Sequence, residues 1–154
     1  MIKLDKNSQE FIESMGLVFQ TDGLPRIAGR LLGFLTITDD EHSLQELADC
    51  LEVSRGSIST NTRLLEQFGM VERIAKSGDR QGFYRLAPNA FPNVLRGAIH
   101  RMHKAKEIIL KASDRVPKKA KGAHKNLAEM TRFYDITIKG MNRIMEDYTG
   151  SAED

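Results

Sequence analysis

Apolar residues recur along this chain at steps of three and four, interrupted at Gly and Pro, and predict helices over most of its length. Phe11, Met15 and Val18, with Ile12 and Phe19, mark one face of a helix from about residue 8 to residue 19, and Gly23 ends that run. Pro25 opens the next helix at a position where its missing N–H costs nothing. Ile27, Ala28, Leu31, Leu32 and Leu35 form its buried face, and Gly29 and Gly33, one turn apart, allow another helix to approach closely. Arg26 and Arg30 share a face and could touch phosphate, although solvated surface charge is the plainer expectation. Past Pro88 and Pro92, the positions Val94, Leu95, Ala98, Ile99, Met102, Ala105, Ile108, Ile109 and Ala112 predict a helix of about six turns that Pro117 stops. A basic link over residues 118–125 leads to a last helix built on Leu127, Met130, Phe133, Tyr134, Thr137, Ile138, Met141, Ile144, Met145 and Tyr148. Gly140 within it costs on the order of 1 kcal/mol relative to Ala, which suggests a close backbone approach or a bend.

Between these helices the pattern changes. Ser43-Leu44-Gln45-Glu46 is an S-x-x-E capping box that satisfies orphaned N–H groups, and Leu44, Leu47, Ala48 and Leu51 give a short apolar face. Glu52-Val53 makes a turn, Ser54 caps a second helix, and Ile58, Leu64, Leu65 and Phe68 supply its buried side. The opposite side holds Arg55, Gly56, Ser57, Ser59, Thr60, Asn61 and Arg63, with no carboxylate to repel phosphate. Gly69 closes the helix in the left-handed cap position. The runs 70–75 and 83–86 read as two strands joined by Lys76-Ser77-Gly78-Asp79-Arg80-Gln81-Gly82, a basic tip.

Such a unit is a winged helix-turn-helix. The major groove admits one helix and displays distinct donor and acceptor patterns, which Ser, Thr and Asn can reach, while a helix N-terminus attracts phosphate oxygens. Arg55 and Arg63 are placed to read guanine or clamp the backbone, and the tip suits a minor groove whose negative potential favours Arg. Asp79 fits an internal role, orienting Arg80 or capping the turn. The candidate DNA-binding residues are therefore Ser54, Arg55, Gly56, Ser57, Ser59, Thr60, Asn61, Arg63, Lys76, Ser77, Asp79, Arg80 and Gln81.

Leu47-Ala48 in the first helix of this unit, Val53-Ser54 at the turn, Leu64-Leu65-Glu66 ending the second helix, Gly69-Met70-Val71 and Asp79-Arg80 together resemble the MarR-type winged-helix regulators. Residues 23–35, with Ser54-Arg55-Gly56-Ser57-Ile58-Ser59 and Gly78-Asp79-Arg80, look more narrowly like the GbsR branch, named for repressors of glycine betaine synthesis. The likeness covers about half the chain. It implies that the terminal helices form a dimer, and it suggests choline or another quaternary ammonium osmolyte as effector. That ligand needs an aromatic cage. Phe11, Phe19, Phe91, Phe133, Tyr134 and Tyr148, with the adaptable Met102, are the candidates.

Charge sharpens the picture. The net charge is only +2, but residues 1–53 hold 4 Lys/Arg against 10 Asp/Glu, residues 54–85 hold 6 against 3, and residues 86–154 hold 13 against 8. The sign changes where the second helix of the unit begins, as a chain with one nucleic-acid face should show. Cys50 is the single cysteine, which excludes an intramolecular disulfide and fits a reducing compartment. It has no basic neighbour in sequence to activate it and reads as a half-buried structural thiol. No run approaches the roughly 18–20 apolar residues of a membrane span, and the first residues lack an apolar signal core, so the cytoplasm is the expectation. His42, His100, His103 and His124 include one i, i+3 pair without carboxylate or thiol to complete a metal set, and read as solvated or amphipathic-face side chains.

The expected protein is mainly α with a small β-hairpin wing. It divides into an N-terminal dimerisation helix (1–22), a winged helix-turn-helix (23–90) and a C-terminal dimerisation and effector region (91–154). Two long amphipathic helices exceed what a small head needs, so a second copy should cover them, setting two recognition helices about 34 Å apart on an inverted repeat. The expected function is a homodimeric, effector-responsive repressor of transcription binding double-stranded DNA, without cofactor or metal. A winged-helix interaction module without sequence-specific DNA binding is the alternative. No phosphate loop, carboxylate pair or nucleophile arrangement argues for an enzyme.

Overall fold

Asp5 starts the first helix: its carboxylate accepts the Ser8 amide at 2.7 Å, and that bond holds the carboxyl below its ordinary pKa. The computed structural model describes residues 4–76 and 81–150. In chain order the elements are α1 (Lys6–Thr21), α2 (Arg26–Thr38), β1 (His42–Ser43), α3 (Leu44–Leu51), α4 (Arg55–Gln67), β2 (Val71–Ala75), β3 (Gly82–Leu86), α5 (Ala90–Arg115) and α6 (Lys121–Gly150). The strands form one antiparallel sheet in the order β1-β3-β2. The chain divides into two compact units, Met1–Phe91 and Pro92–Asp154.

In the first unit, α1 and α2 meet through glycine. A Cβ on Gly29 would collide with the Met15 carbonyl, and one on Gly33 would stand 3.3 Å from the Ile12 Cα. Gly16 answers from α1, leaving space that the Arg26 and Arg30 stems fill. Both arginines then converge on Glu13: Arg26 Nη2 donates to Oε2 at 2.7 Å, and Arg30 Nε lies 2.6 Å from Oε1, an ion-pair distance outside hydrogen-bond geometry. They are therefore paired rather than merely solvated, because α1 brings a carboxylate that linear spacing did not reveal. Burial works against the Glu13 charge, but the Arg26 hydrogen bond and the Arg30 charge outweigh it and hold the carboxyl below its ordinary value.

Leu31, Phe34, Leu35, Leu47, Leu51, Ile58 and Leu65 are fully buried and tie α2, α3 and α4 into one core. Burying each such side chain contributes roughly 1.5–3 kcal/mol. The Ser43 capping box is complete: the Ser43 hydroxyl accepts the Glu46 amide at 3.2 Å, and the Ser43 amide donates to Glu46 Oε2 at 2.8 Å. Glu52 in the left-handed region ends α3, and Gly69 at φ +71° follows α4. Strand β1 was not anticipated. Its two residues, paired with Tyr84 and Phe83, are too few to carry an alternation.

In the second unit, α5 begins with Pro92 inside its first turn, and α6 starts at Lys121, so residues 121–125 of the expected basic link are helical. Lys106 and Asp135 form an ion pair between the two helices, and Ile109 and Ile138 are buried. Ile108, Phe133, Ile136 and Ile144 stand 68%, 61%, 61% and 59% exposed. Beyond its own helix backbone, no described atom lies within 4 Å of a Cβ built on Gly140, so of the close approach or bend expected there, the close approach is not seen among the described residues.

Candidate nucleic-acid interface

Helix α4 presents one face outward. Ser54 caps it, its hydroxyl accepting the Ser57 amide at 3.2 Å. Ser54, Arg55, Gly56, Thr60 and Arg63 are exposed, Ser57 and Ser59 half-buried. Neither Arg55 nor Arg63 makes an ion pair among the described residues, and nothing lies within 4 Å of a Cβ built on Gly56. The Thr60 hydroxyl donates to the Gly56 carbonyl at 3.1 Å.

Asn61 is a correction. Its side chain is 6% exposed, and Nδ2 donates to the Ser57 carbonyl at 2.8 Å while Oδ1 is buried without a partner. Ile58, Asn61, Thr62 and Leu65 occupy i, i+3, i+4 and i+7, the stripe that faces the core, so Asn61 is not available to a base edge.

At the base of the wing the sheet builds a charge cluster. Glu72 and Arg85 are directly opposed on β2 and β3, and Arg85 Nε donates to Glu72 Oε1 at 2.7 Å, keeping the guanidinium pKa above its ordinary value. Glu41, just before β1, lies 3.1 Å from Lys76 Nζ and 3.5 Å from Arg85 Nη1. Lys76 Nζ also stands 4.1 Å above the Phe83 ring. Gln81 is exposed. Ser77, Asp79 and Arg80 lie outside the described residues.

This arrangement of capped helix, turn, outward-facing helix and hairpin has known counterparts. A solved structure described as a transcriptional regulator superposes with a TM-score of 0.81 at 36% identity, over 94% of this chain and 99% of that one. Over 83 residues the chain is 54% identical to the HTH-type transcriptional regulator MmpR5 of Mycobacterium tuberculosis (strain ATCC 25618 / H37Rv). Residues 22–82 match the MarR family. The chain belongs to the MarR family.

The stretch shared with MmpR5 covers 53% of this MarR-family chain and 50% of that protein, so the chain spans about half the length of the curated relative it matches. The matched segment 22–82 contains α2, β1, α3, α4 and β2, which include the outward face of α4 and the first strand of the wing.

The effector candidates of this MarR-family chain fare unevenly. Phe19 is 7% exposed in the core of the first unit and offers no ring face to a ligand, a correction that follows from α1 turning it toward α2. Phe11 and Phe91 are exposed, as are Phe133 and Tyr148, whereas Met102 and Tyr134 are half-buried. Phe133 and Tyr134 meet edge to face at 5.9 Å and line an open recess with Asn126, Glu129 and Met130.

Cys50 is a half-buried free thiol. His42 is not solvated: it is 3% exposed, stacked edge-on against Phe34 at 5.0 Å, with Nε2 3.1 Å from the Thr38 hydroxyl. Sequence reasoning missed both His42 and Glu41 because β1 carries them into place. Only the Glu72–Arg85 pair had a signal, opposite charges at matching distances from the wing. No helix among the described residues is long and apolar enough to cross a membrane.

Proposed function

We propose that this chain is a cytoplasmic, homodimeric repressor that binds an inverted-repeat operator in double-stranded DNA and is released by a small effector. The observation that carries this is the outward face of α4, where Arg55, at the helix N-terminus, and Arg63, two turns on, stand exposed and without an ion pair among the described residues, with small polar groups between them. Membership of the MarR family supports it, as does the regulator named in the 54% identical relative. Ser54, Arg55, Gly56, Ser57, Ser59, Thr60 and Arg63 form the groove-reading set, with Lys76, Ser77, Asp79, Arg80 and Gln81 from the wing.

The dimer is supported by the apolar side chains that α5 and α6 leave in water, Ile108, Phe133, Ile136 and Ile144 among them. A two-fold pair would set its recognition helices about 34 Å apart. The GbsR likeness adds a quaternary ammonium effector, for which Phe133 and Tyr134 beside Glu129 supply two ring faces and a carboxylate. A coupling of about 1–3 kcal/mol would change operator affinity about 5- to 150-fold.

Selection of bound fragments from genomic DNA tests this proposal. Enrichment of an inverted repeat, lost in Arg55→Glu and Arg63→Glu, is the expected outcome. No enrichment over random DNA, or enrichment that survives both charge reversals, would leave the winged helix as a protein-interaction scaffold instead.

A further inference from the structure

Register places Glu41, Arg85 and Glu72 in one row across the sheet, since His42 pairs with Tyr84 and Arg85 pairs with Glu72. Lys76 belongs to the same face but lies beyond the end of β2, at the root of the wing. Its side chain folds back over Phe83 toward Glu41 instead of extending along the wing. Two cations and two carboxylates therefore neutralise each other at the base of an element whose proposed work is to meet phosphate.

The two carboxylates are not equivalent. Glu72 holds Arg85 by a 2.7 Å hydrogen bond within the ladder, whereas Glu41 approaches its cations at 3.1 and 3.5 Å. The Lys76 and Arg85 side chains remain 46% and 43% exposed, open to water and to an arriving anion. Ion pairs so exposed are weak, and a phosphate oxygen competes for them on even terms.

We propose that Glu41 is a positioning residue that retains Lys76, and secondarily Arg85, in the free protein, and that a DNA backbone phosphate takes Lys76 over when the duplex docks. Glu41 thereby acts as a resident stand-in for phosphate. It lowers general affinity for DNA, because phosphate must displace a carboxylate already paired with the wing-base cations. This rests on the DNA-binding reading above.

The test is titration of a labelled duplex, one carrying the selected operator and one of unrelated sequence, with the full chain and its Glu41→Gln, Lys76→Gln and double variants between 50 and 200 mM salt. Glu41→Gln should bind both duplexes about two- to five-fold more tightly at low salt, with the gain shrinking as salt rises. In the Lys76→Gln background most of that gain should vanish, because Glu41 acts through the lysine. Equal or weaker binding by a Glu41→Gln protein of unchanged melting temperature would overturn the inference, as would a gain that persists without Lys76. If Glu41→Gln does not fold, Glu41→Asp withdraws the carboxylate by one methylene and should shift affinity in the same direction, with no shift overturning the inference. A wild-type chain that binds no duplex would sink the DNA-binding proposal itself and this inference with it. Wild-type binding with no gain in the variants would sink only the role of Glu41.

Discussion

The Asn61 side-chain amide donates to the Ser57 carbonyl at 2.8 Å, one turn back along α4, and this bond turns inward a residue whose type suits an adenine edge. The two faces of the recognition helix therefore divide the labour, with Arg55 and Arg63 outward and Asn61 against the core. Asn61→Ala should lower stability by about 1 kcal/mol through the lost bond and packing. It should change operator affinity less than about three-fold, whereas Arg63→Ala, at a phosphate or guanine contact, should weaken binding about ten-fold. Fluorescence titration of both variants checks this, and an Asn61→Ala loss as large as that of Arg63→Ala would return Asn61 to the interface.

Gly29 and Gly140 are both helical glycines with opposite surroundings. A Cβ at Gly29 meets the Met15 backbone, which cannot move without shifting α1, whereas one at Gly140 meets nothing within 4 Å. Gly29→Ala should therefore cost about 1–3 kcal/mol by overpacking. Gly140→Ala should gain about 0.5–1 kcal/mol from helix propensity. Urea unfolding of the two variants distinguishes these signs, and a neutral Gly29→Ala would refute the tight α1–α2 crossing.

Burial pushes the His42 imidazole below its ordinary value of 6.5, against the raising charges of Asp40 and Glu46, while Lys76 adds to the lowering. The folded chain thus keeps His42 neutral at pH values where the unfolded chain already binds a proton. Stability should be intact above about pH 6.5 and fall as pH drops below it toward the folded value, in the direction set by proton linkage. Melting temperatures at pH 7.5 and 5.5 should show this loss, and His42→Phe, which retains an aromatic ring against Phe34, should reduce it. An identical pH dependence in the variant would refute the assignment.

Ser43 is at once a strand residue and the cap of α3. Ser43→Ala should cost about 1 kcal/mol by leaving the Glu46 amide without its acceptor. The Ser43 amide, by its bond to the Glu46 carboxylate, holds that carboxyl below its ordinary value, so this contribution is present above about pH 4.5 and disappears as pH falls through the folded value. Glu46→Gln should flatten that acid limb in a pH series of urea midpoints; an unchanged limb would place the acid sensitivity elsewhere.

Much of this architecture was legible in the order of residues alone. The capping box at Ser43, the caps at Ser54 and Gly69, Pro25, the α2 glycines and the three-and-four spacing of leucines are local signals, because each acts on backbone within one turn of itself. They located most helices and the wing strands, and they marked Arg55 and Arg63 as candidate cations on a stretch, 55–63, that carries no carboxylate. The sequence by itself also determined the charge reversal at Ser54. Tertiary structure decided what depends on elements far apart in the chain. Asn61 is inside because α4 rotates its 58–61–65 stripe onto α2; His42 is buried because Phe34 reaches it. Arg26 and Arg30 find Glu13 only where α1 crosses α2, and Glu41 meets Lys76 only because β1 adds to β3. Local patterns fix which helix turns where, but burial and pairing are set by the distances between elements, and those distances exist only once the chain has folded.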